Sequence, residues 1–534
     1  GGTSGTTSVE GCTNNGTVIT YVGCRTGGFV GHNSGNLSGC VNNGNIFGLA
    51  AHDDHGAGWA AGFTTNKDNI VNCTGKGRVG DIAQKDTPEA APHASYYNAL
   101  KYQYLKRFDP EANMLDWDAD SYYETEVTAT KELASGLKLT SYQWKNVPRK
   151  MHILEIDLTS TALDLTTAYA NDIVPNPNGN KNSNDGFKIR ETLSQLCERK
   201  RTEGEEVFAG INTGFFDSND GFARGMHIEE GEPVYVNNQG VRNSLVNHAW
   251  GFTLFTDGTA SCGKKEFSGK MEIAGKEYEY FSVNDTIVRL GHKTYYANLY
   301  TSRYKEVPHA DHPELVNTLS KTALYVVAKY NSGVMTVNNG YAEATVSAIY
   351  DGRSTALDKA PYLEAADEVA IQLTGDKAAE IASAVKVGDV IKLKADVAID
   401  GVTKPIYTLN STMFQFLKNG KDNTGSLADN SSNNTKFDPI TFAAVDQAGT
   451  KVWFVVVDGR QINLTDGVWT SMGLKAHEMM QVAKRLGAYN MTRFDGGGST
   501  AMWAYSDGAG ALVNTPSDDK GERSCMNYIY IRAR

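Results

Sequence analysis

The 534-residue chain lacks any apolar run near the ~18 residues that a membrane helix needs. Its strongest burst, "VWFVVV" at 452–457, has the length of one buried strand. It also lacks a basic excess. With 51 Lys and Arg against 62 Asp and Glu, the formal net charge is -11. The acidic residues are spread along the chain, so nucleic acid is not an expected partner. Cysteine is scarce, and no two of the seven are spaced C-x-x-C, which leaves zinc and thioredoxin-like chemistry without support. Cys12, Cys24, Cys40 and Cys73 fall in the first 80 residues and Cys197, Cys262 and Cys525 lie far beyond; buried free thiols are expected. The sequence opens on "GGTSGTT" without methionine or signal peptide, which reads as a processed or engineered boundary. The length exceeds the ~250–300 residues at which single cores stop growing, so two or more domains are expected.

What is abundant at the front is Gly, Asn, Thr and Ser, in a pattern that repeats. "GCTNNG" at 11–16 returns as "GCVNNG" at 39–44 and more loosely as "NCTGKG" at 72–77, a period of 28 to 34 residues. One copy of such a unit cannot bury its own apolar face, so stacking is required, and Cys12, Cys40 and Cys73 would align as a ladder. The pattern resembles the glycine-rich GLUG-type repeats of bacterial surface proteins, which implies a short all-β module over 1–81 and an extracytoplasmic location. The cluster His52, Asp53, Asp54 and His55 fits a solvated loop better than a metal site. Residues 82–120, mixing proline, alanine and charge, read as a linker.

From 121 onward strand-like and helix-like segments alternate. "KMHILEIDL" at 150–158 has the period of a strand, and "KIRETLSQLCERKRT" at 188–202 that of a helix. "EEVFAGINTGFFDSNDG" at 205–221 ends a strand on Asn212, Gly214, Phe215, Phe216 and Asp217. Residues 318–415 read as strand-rich scaffold. The densest region is 451–500, where a strand ends on Asp458, Gly459 and Arg460. There, "LKAHEMMQVAKRLG" puts Ala476, Met479, Met480, Ala483 and Leu486 on one helical face. A second strand, "YNMTRFD", ends on Asp495 before three glycines. This strand, helix, strand order predicts two adjacent parallel strands, with Asp458 and Asp495 at one edge. The fold expected for 121–534 is therefore α+β or mixed α/β with a large mixed sheet. Glycines 496–498 are followed by no lysine and form no G-x-G-x-x-G, so neither a Walker loop nor a dinucleotide fingerprint is present. Three in a row allow positive φ and close approach of a ligand to backbone amides. Glu478, taken alone, reads as a solvated helix residue.

The series "VVVDGR", "SMGLKAHE" and "LGAYNMTRFDGGGST" resembles the phosphodiester glycosidase family, which carries D-G-R, S-x-G-x-x-x-x-E and D-G-G-G-S in that order. "AGINTGFF" at 209–216 and "ERSCMNYIYI" at 522–531 resemble two further segments. The resemblance implies hydrolysis of a sugar 1-phosphodiester of the N-acetylglucosamine type in a glycan or glycolipid. Clustered carboxylates and a glycine loop could hold a hard cation, but no metal or cofactor is expected to be required. The resemblance also implies Asp495, Glu478 and Asp458 as catalytic carboxylates. For substrate binding it implies Asn212, Gly214, Arg289, Arg460, Ser471, Gly496, Gly497, Gly498, Ser499, Thr500 and Arg523. A carboxylate is needed on the sugar side and cationic or amide donors on the phosphate side.

The chain departs from that pattern at "PITFAA", 439–444, where Ile440 stands at the family's arginine and Ala444 at its glycine, and at "LNSTMFQF", 409–416. These departures leave three readings: a phosphodiester glycosidase, a glycosidase with a different leaving group, or a noncatalytic surface protein that binds carbohydrate. The partner in each is a sugar or cell-surface glycan.

Overall fold

The computed structural model describes residues 7–16, 18–20, 26–44, 46–48, 57–58, 61–64, 67–75, 79–81, 120–175, 190–216, 223–236, 249–285, 296–305, 321–358, 361–423, 437–463, 468–518 and 520–534. His52 to His55, Asp217, Arg289 and nearly all of 82–120 lie outside them.

In the first 81 residues the repeats stack as parallel, in-register strands. Val9, Leu37 and Ile70 align across Ser8–Glu10, Asn36–Ser38 and Ile70–Val71. Thr13, Val41 and Thr74 align in the next stack. The sequence period becomes a structural one because each short strand covers the apolar side chain of its neighbour, with Leu37 fully buried in the middle. Asparagine amides bond along the stack, Asn14 to Asn42 at 2.7 Å and Asn43 to Asn15 at 2.9 Å. The cysteines do form a column: Val41 N donates to Cys12 O and Thr74 N to Cys40 O, both at 2.8 Å. Only Cys40, flanked on both sides, is buried.

The remaining described chain is a β structure, which corrects the expected α+β or mixed α/β fold. Over all the described residues strands account for 52% and helix for 11%, and the α-helices among them, Leu193–Thr202, Gly375–Ala384 and Ala476–Arg485, have ten residues each. The large sheets pair antiparallel, so they are not mixed either. The helical periodicities were real but short. One face of the eight-stranded sheet is covered by another sheet, a layer that local periodicity does not announce.

An eight-stranded sheet runs in the order Thr125–Ala134, Leu137–Trp144, Lys150–Asp157, Lys451–Val457, Ile440–Val445, Asn490–Arg493, Phe414–Lys418 and Lys421–Asp422. Its central strand shows why "VWFVVV" is apolar at every position. Trp453, Val455 and Val457 pack in one core with helix Ala476–Arg485. Val452, Phe454 and Val456 pack in another with Ile211, Met502 and Ile529 of a five-stranded sheet. Each such side chain contributes ~1.5–3 kcal/mol on burial. The five-stranded sheet is covered beyond by helix Leu193–Thr202, which starts on a reciprocal Thr192–Gln195 capping box. A larger antiparallel sheet over 226–412 holds its own core, closed by Ala378 and Ile381 of helix Gly375–Ala384.

The two strands of the 451–495 unit are parallel, but Ile440–Val445 lies between them and pairs antiparallel with both. This corrects the expected adjacency. Asp458 and Asp495 still leave the sheet at the same end, beside the start of Ile440–Val445.

Candidate active site

Three motif glycines close on one short segment, Asp438–Pro439, at that sheet end. A β-carbon at Gly459 would lie 2.6 Å from Pro439 N, and one at Gly496 2.8 Å from Pro439 O. Gly473, at φ +92°, packs its α-carbon against the Asp438 backbone. Gly497 N donates to Pro439 O at 2.9 Å, and Asp438 and Leu474 exchange backbone bonds at 3.2 and 3.0 Å. D-G-R, S-x-G and D-G-G-G-S thus meet because each omits a side chain where the same backbone passes.

The glycine run also faces three guanidinium groups, one per glycine. A β-carbon at Gly496 would lie 2.9 Å from Nη2 of Arg493, and one at Gly497 2.9 Å from Nη2 of Arg460. One at Gly498 would overlap both Arg523 Nη2 and Asp518 Oδ1. Arg460, itself at φ +58°, donates to Asp438 from Nε at 3.1 Å and Nη2 at 3.0 Å. Arg523 makes a bidentate pair with Asp518 at 2.7 and 2.9 Å and donates from Nη1 to Ser499 Oγ at 3.3 Å. Burial works against the Arg523 charge, but the Asp518 carboxylate outweighs it and raises its pKa. Arg493 is 5% exposed, and burial lowers its pKa.

Asp495 stands at the root of this run. Its Oδ1 accepts from Gly496 N at 2.9 Å, and its backbone is strapped by Asn212 Nδ2 to its carbonyl at 2.8 Å and by its own N to Thr213 O at 2.8 Å. Burial pushes its carboxyl above the usual aspartate range, while the nearby Ser499 hydroxyl and the Arg523 and Arg493 charges oppose that rise. Its side chain is nevertheless part-exposed, unlike the other two carboxylates singled out from sequence. Several amides of the run are already used inside the protein: Gly496 by Asp495, Gly497 by Pro439, Ser499 by Gly496 O and Thr500 by Gly497 O. Its bareness therefore makes room for arginine heads.

Asp458 is 1% exposed. Its Oδ1 accepts from Thr515 N at 3.1 Å, and its buried Oδ2 lies 3.9 Å from His152 Nε2, with neither atom hydrogen-bonded among the described residues. His152 Nδ1 shares a 2.8 Å bond with Ser141 Oγ. Ser471 Oγ donates to Asp458 O at 2.6 Å and accepts from Lys150 N at 3.1 Å, tying two strand ends. Asn212 is saturated: its Oδ1 also accepts from Thr441 Oγ1 at 2.7 Å and Ala501 N at 3.0 Å. Gly214 leaves room for Asn527 and Ser411, whose nearest atoms would lie 3.1 to 3.3 Å from a β-carbon. Thr500 Oγ1 is buried without a hydrogen-bond partner among the described residues.

Glu478 is not a solvated helix residue. It is fully buried, accepts from Tyr122 OH and from Arg149 Nη2 at 2.8 Å, and caps its own helix by accepting from Lys475 N at 2.8 Å. Arg149 is in turn caged by Trp144, Phe437 and Tyr122, with ring centres 4.7 to 5.3 Å from its Cζ. No contact joins this group to Asp495 among the described residues.

Residues 326–532 match the family model for phosphodiester glycosidases. The match takes in every candidate site residue named above except Asn212, Gly214 and Arg289, which precede it. No curated protein sequence matches the chain. A solved Synechocystis protein described as hypothetical is similar in fold, with TM-score 0.50 and 16% identity over 78% of this chain; the alignment spans 64% of that protein's length. A Burkholderia pseudomallei protein gives TM-score 0.46, with 19% identity over 72% of this chain and 74% of its own. The catalytic domain of zebrafish N-acetylglucosamine-1-phosphodiester alpha-N-acetylglucosaminidase, auto-inhibited by its pro-peptide, gives 0.33, with 12% identity over 77% and 88%.

Within the matched residues 326–532, sequence reasoning did not single out Asp438, Pro439, Arg493 or Asp518 as functional. Arg493 carried a signal, being a charged residue in an otherwise apolar strand end two positions before Asp495. Pro439 opens the quoted "PITFAA" segment, where attention fell on Ile440 and Ala444; Asp438 and Asp518 carried no signal, since their importance lies in what folds against them.

Proposed function

We propose that the chain is a hydrolase that cleaves a sugar 1-phosphodiester, with an N-acetylglucosamine-type glycosyl unit, on an extracytoplasmic glycan or glycolipid. The observation that carries this reading is the placement of one guanidinium against each glycine of the run, with the Asp495 carboxyl at its root. A carboxyl with a raised pKa suits proton transfer or attack at the anomeric carbon. The arginines suit the phosphate, whose negative charge grows as the glycosidic bond breaks. Arg460 and Arg523 are pre-aimed by Asp438 and Asp518, which costs no reorganisation during reaction. In this reading Asp495 meets substrate, while Asp458 and Glu478, both buried and partnered, position the sheet end and the helix.

That only Asp495 of the three candidate catalytic carboxylates is part-exposed favours a second reading, a noncatalytic cleft that binds sugar phosphate, since glycoside hydrolysis usually takes two carboxylates. Hydrolysis of an N-acetylglucosamine 1-phosphodiester by wild type and Asp495→Ala separates the two. Turnover lost in the variant supports the enzyme. Equal inertness of both, with retained glycan binding, refutes it.

A further inference from the structure

Arg493 differs from the other two arginines of the site. Arg460 and Arg523 each have a carboxylate within 3.0 Å. Arg493 has no carboxylate within ion-pair distance among the described residues, and its Nε is buried with no hydrogen-bond partner. The charges that act on it are those of Asp438, Asp495 and Arg460. A guanidinium does not shed its proton to escape burial, so this charge stays and lacks a close counter-ion. A built, positively charged position of this kind is complementary to an anion.

Its location follows from strand register. Arg493 lies opposite Phe442 on one side and Phe414 on the other, so its side chain leaves the sheet on the face of Phe442 and, two residues back, Ile440. Ile440 is 1% exposed and sits in the same apolar core as Phe414 and Phe442. The Arg493 head passes over this core to Gly496, where the absent β-carbon admits Nη2. Side chains from 440 and 493 therefore converge on one space beside Asp438 and Asp495, and in this chain the isoleucine fills the floor while the arginine supplies the charge.

We propose that Arg493 is the ligand for the anionic leaving group, holding the phosphate that an arginine at 440 would otherwise reach. This rests on the phosphodiester reading of the site.

The test uses the full chain, an N-acetylglucosamine 1-phosphodiester, a p-nitrophenyl N-acetylglucosaminide, and inorganic phosphate as a binding probe in calorimetry. Arg493→Gln is expected to lower kcat/KM on the phosphodiester about 100-fold or more, to lower it at least tenfold less on the uncharged glycoside, where only its effect on the Asp495 carboxyl is felt, and to weaken phosphate binding at least tenfold. Ile440→Arg/Arg493→Gln is expected to recover at least tenfold of the loss. Arg493→Lys keeps the charge without the fork and, should the glutamine variant not fold, is expected to fall between wild type and Gln in phosphate affinity. Unchanged phosphodiester turnover and phosphate affinity in the Gln or Lys variant overturns the assignment. If wild type cleaves neither substrate but binds phosphate through Arg493, the catalytic reading fails and the anion site stands.

Discussion

Gly498→Ala tests whether the glycine run exists to admit arginine heads. Gly498 does not have a left-handed backbone, so alanine adds no conformational strain there. Its methyl would overlap Arg523 Nη2 and Asp518 Oδ1, and the bidentate pair must part to admit it. Overpacking of this kind costs ~1–3 kcal/mol. The lost ion pair adds at most ~1 kcal/mol, because its ends are 38% and 30% exposed and screened by water. A stability loss of about 2–3 kcal/mol is expected in urea unfolding, small enough to leave a folded protein. The effect on chemistry should be larger: displacing one donor from a developing charge costs ~10²-fold in kcat/KM. Gly487→Ala is the matched control. It sits at φ +87° with nothing within 4 Å of a β-carbon, so it should cost ~1 kcal/mol through backbone strain alone and spare activity. If both variants lose phosphodiester turnover only in proportion to their stability, Arg523 does not act on the substrate.

Asp495→Asn should abolish turnover and also change the pH dependence of stability. The folded carboxyl has a raised pKa, so its contribution is full below the unfolded value of ~3.9 and is lost as pH rises through the folded one. The variant should therefore be more stable than wild type at pH 7 and lose that advantage at pH 3.5 in chemical denaturation; a pH-independent difference would contradict the shift. Glu478→Gln leaves Arg149 buried without its partner, which should cost ~3–5 kcal/mol, while Arg149→Met/Glu478→Leu should recover most of it. A thermal melt like wild type for the single variant would show that the pair is not holding the helix. Lys265 lines a hollow of about 300 Å³ with Met226, Phe267 and Tyr280, and burial pushes its amine down to about 7. Its folded value lies below the unfolded ~10.4, so stability it contributes is complete above that pH and falls as pH drops toward 7. Lys265→Met should remove part of the gain in unfolding free energy between pH 7 and 10, and an identical slope would refute the shift.

The legible parts of the sequence were those in which cause and effect sit within one element. The 28 to 34 residue period forecast the parallel stack and its cysteine column. The apolar run at 452–457 forecast a covered strand, and the i, i+3, i+4 pattern forecast helix Ala476–Arg485. Layer composition was not legible, because a strand buried on both faces looks the same whether a helix or a second sheet covers it. Glu478 was misread for a related reason. Helical periodicity places it off the main apolar stripe, but Tyr122 and Arg149, some 330 to 360 residues earlier in the chain, close over that side.

The glycine run shows where such reasoning turns. Positive φ, the local reason to place a glycine, applies to Gly497 at +62° but to neither of its neighbours in the run. Gly496 and Gly498 are bare because Arg493 and Arg523 press on them, from three residues before and twenty-five after. An arginine missing at 440 is then a weaker argument against phosphate recognition than one strand suggested. Phe442 and Arg493 are cross-strand partners, so charge absent from one strand is delivered to the same space by the next. What the site requires is a guanidinium at that end of the sheet, and either of two neighbouring strands can carry it.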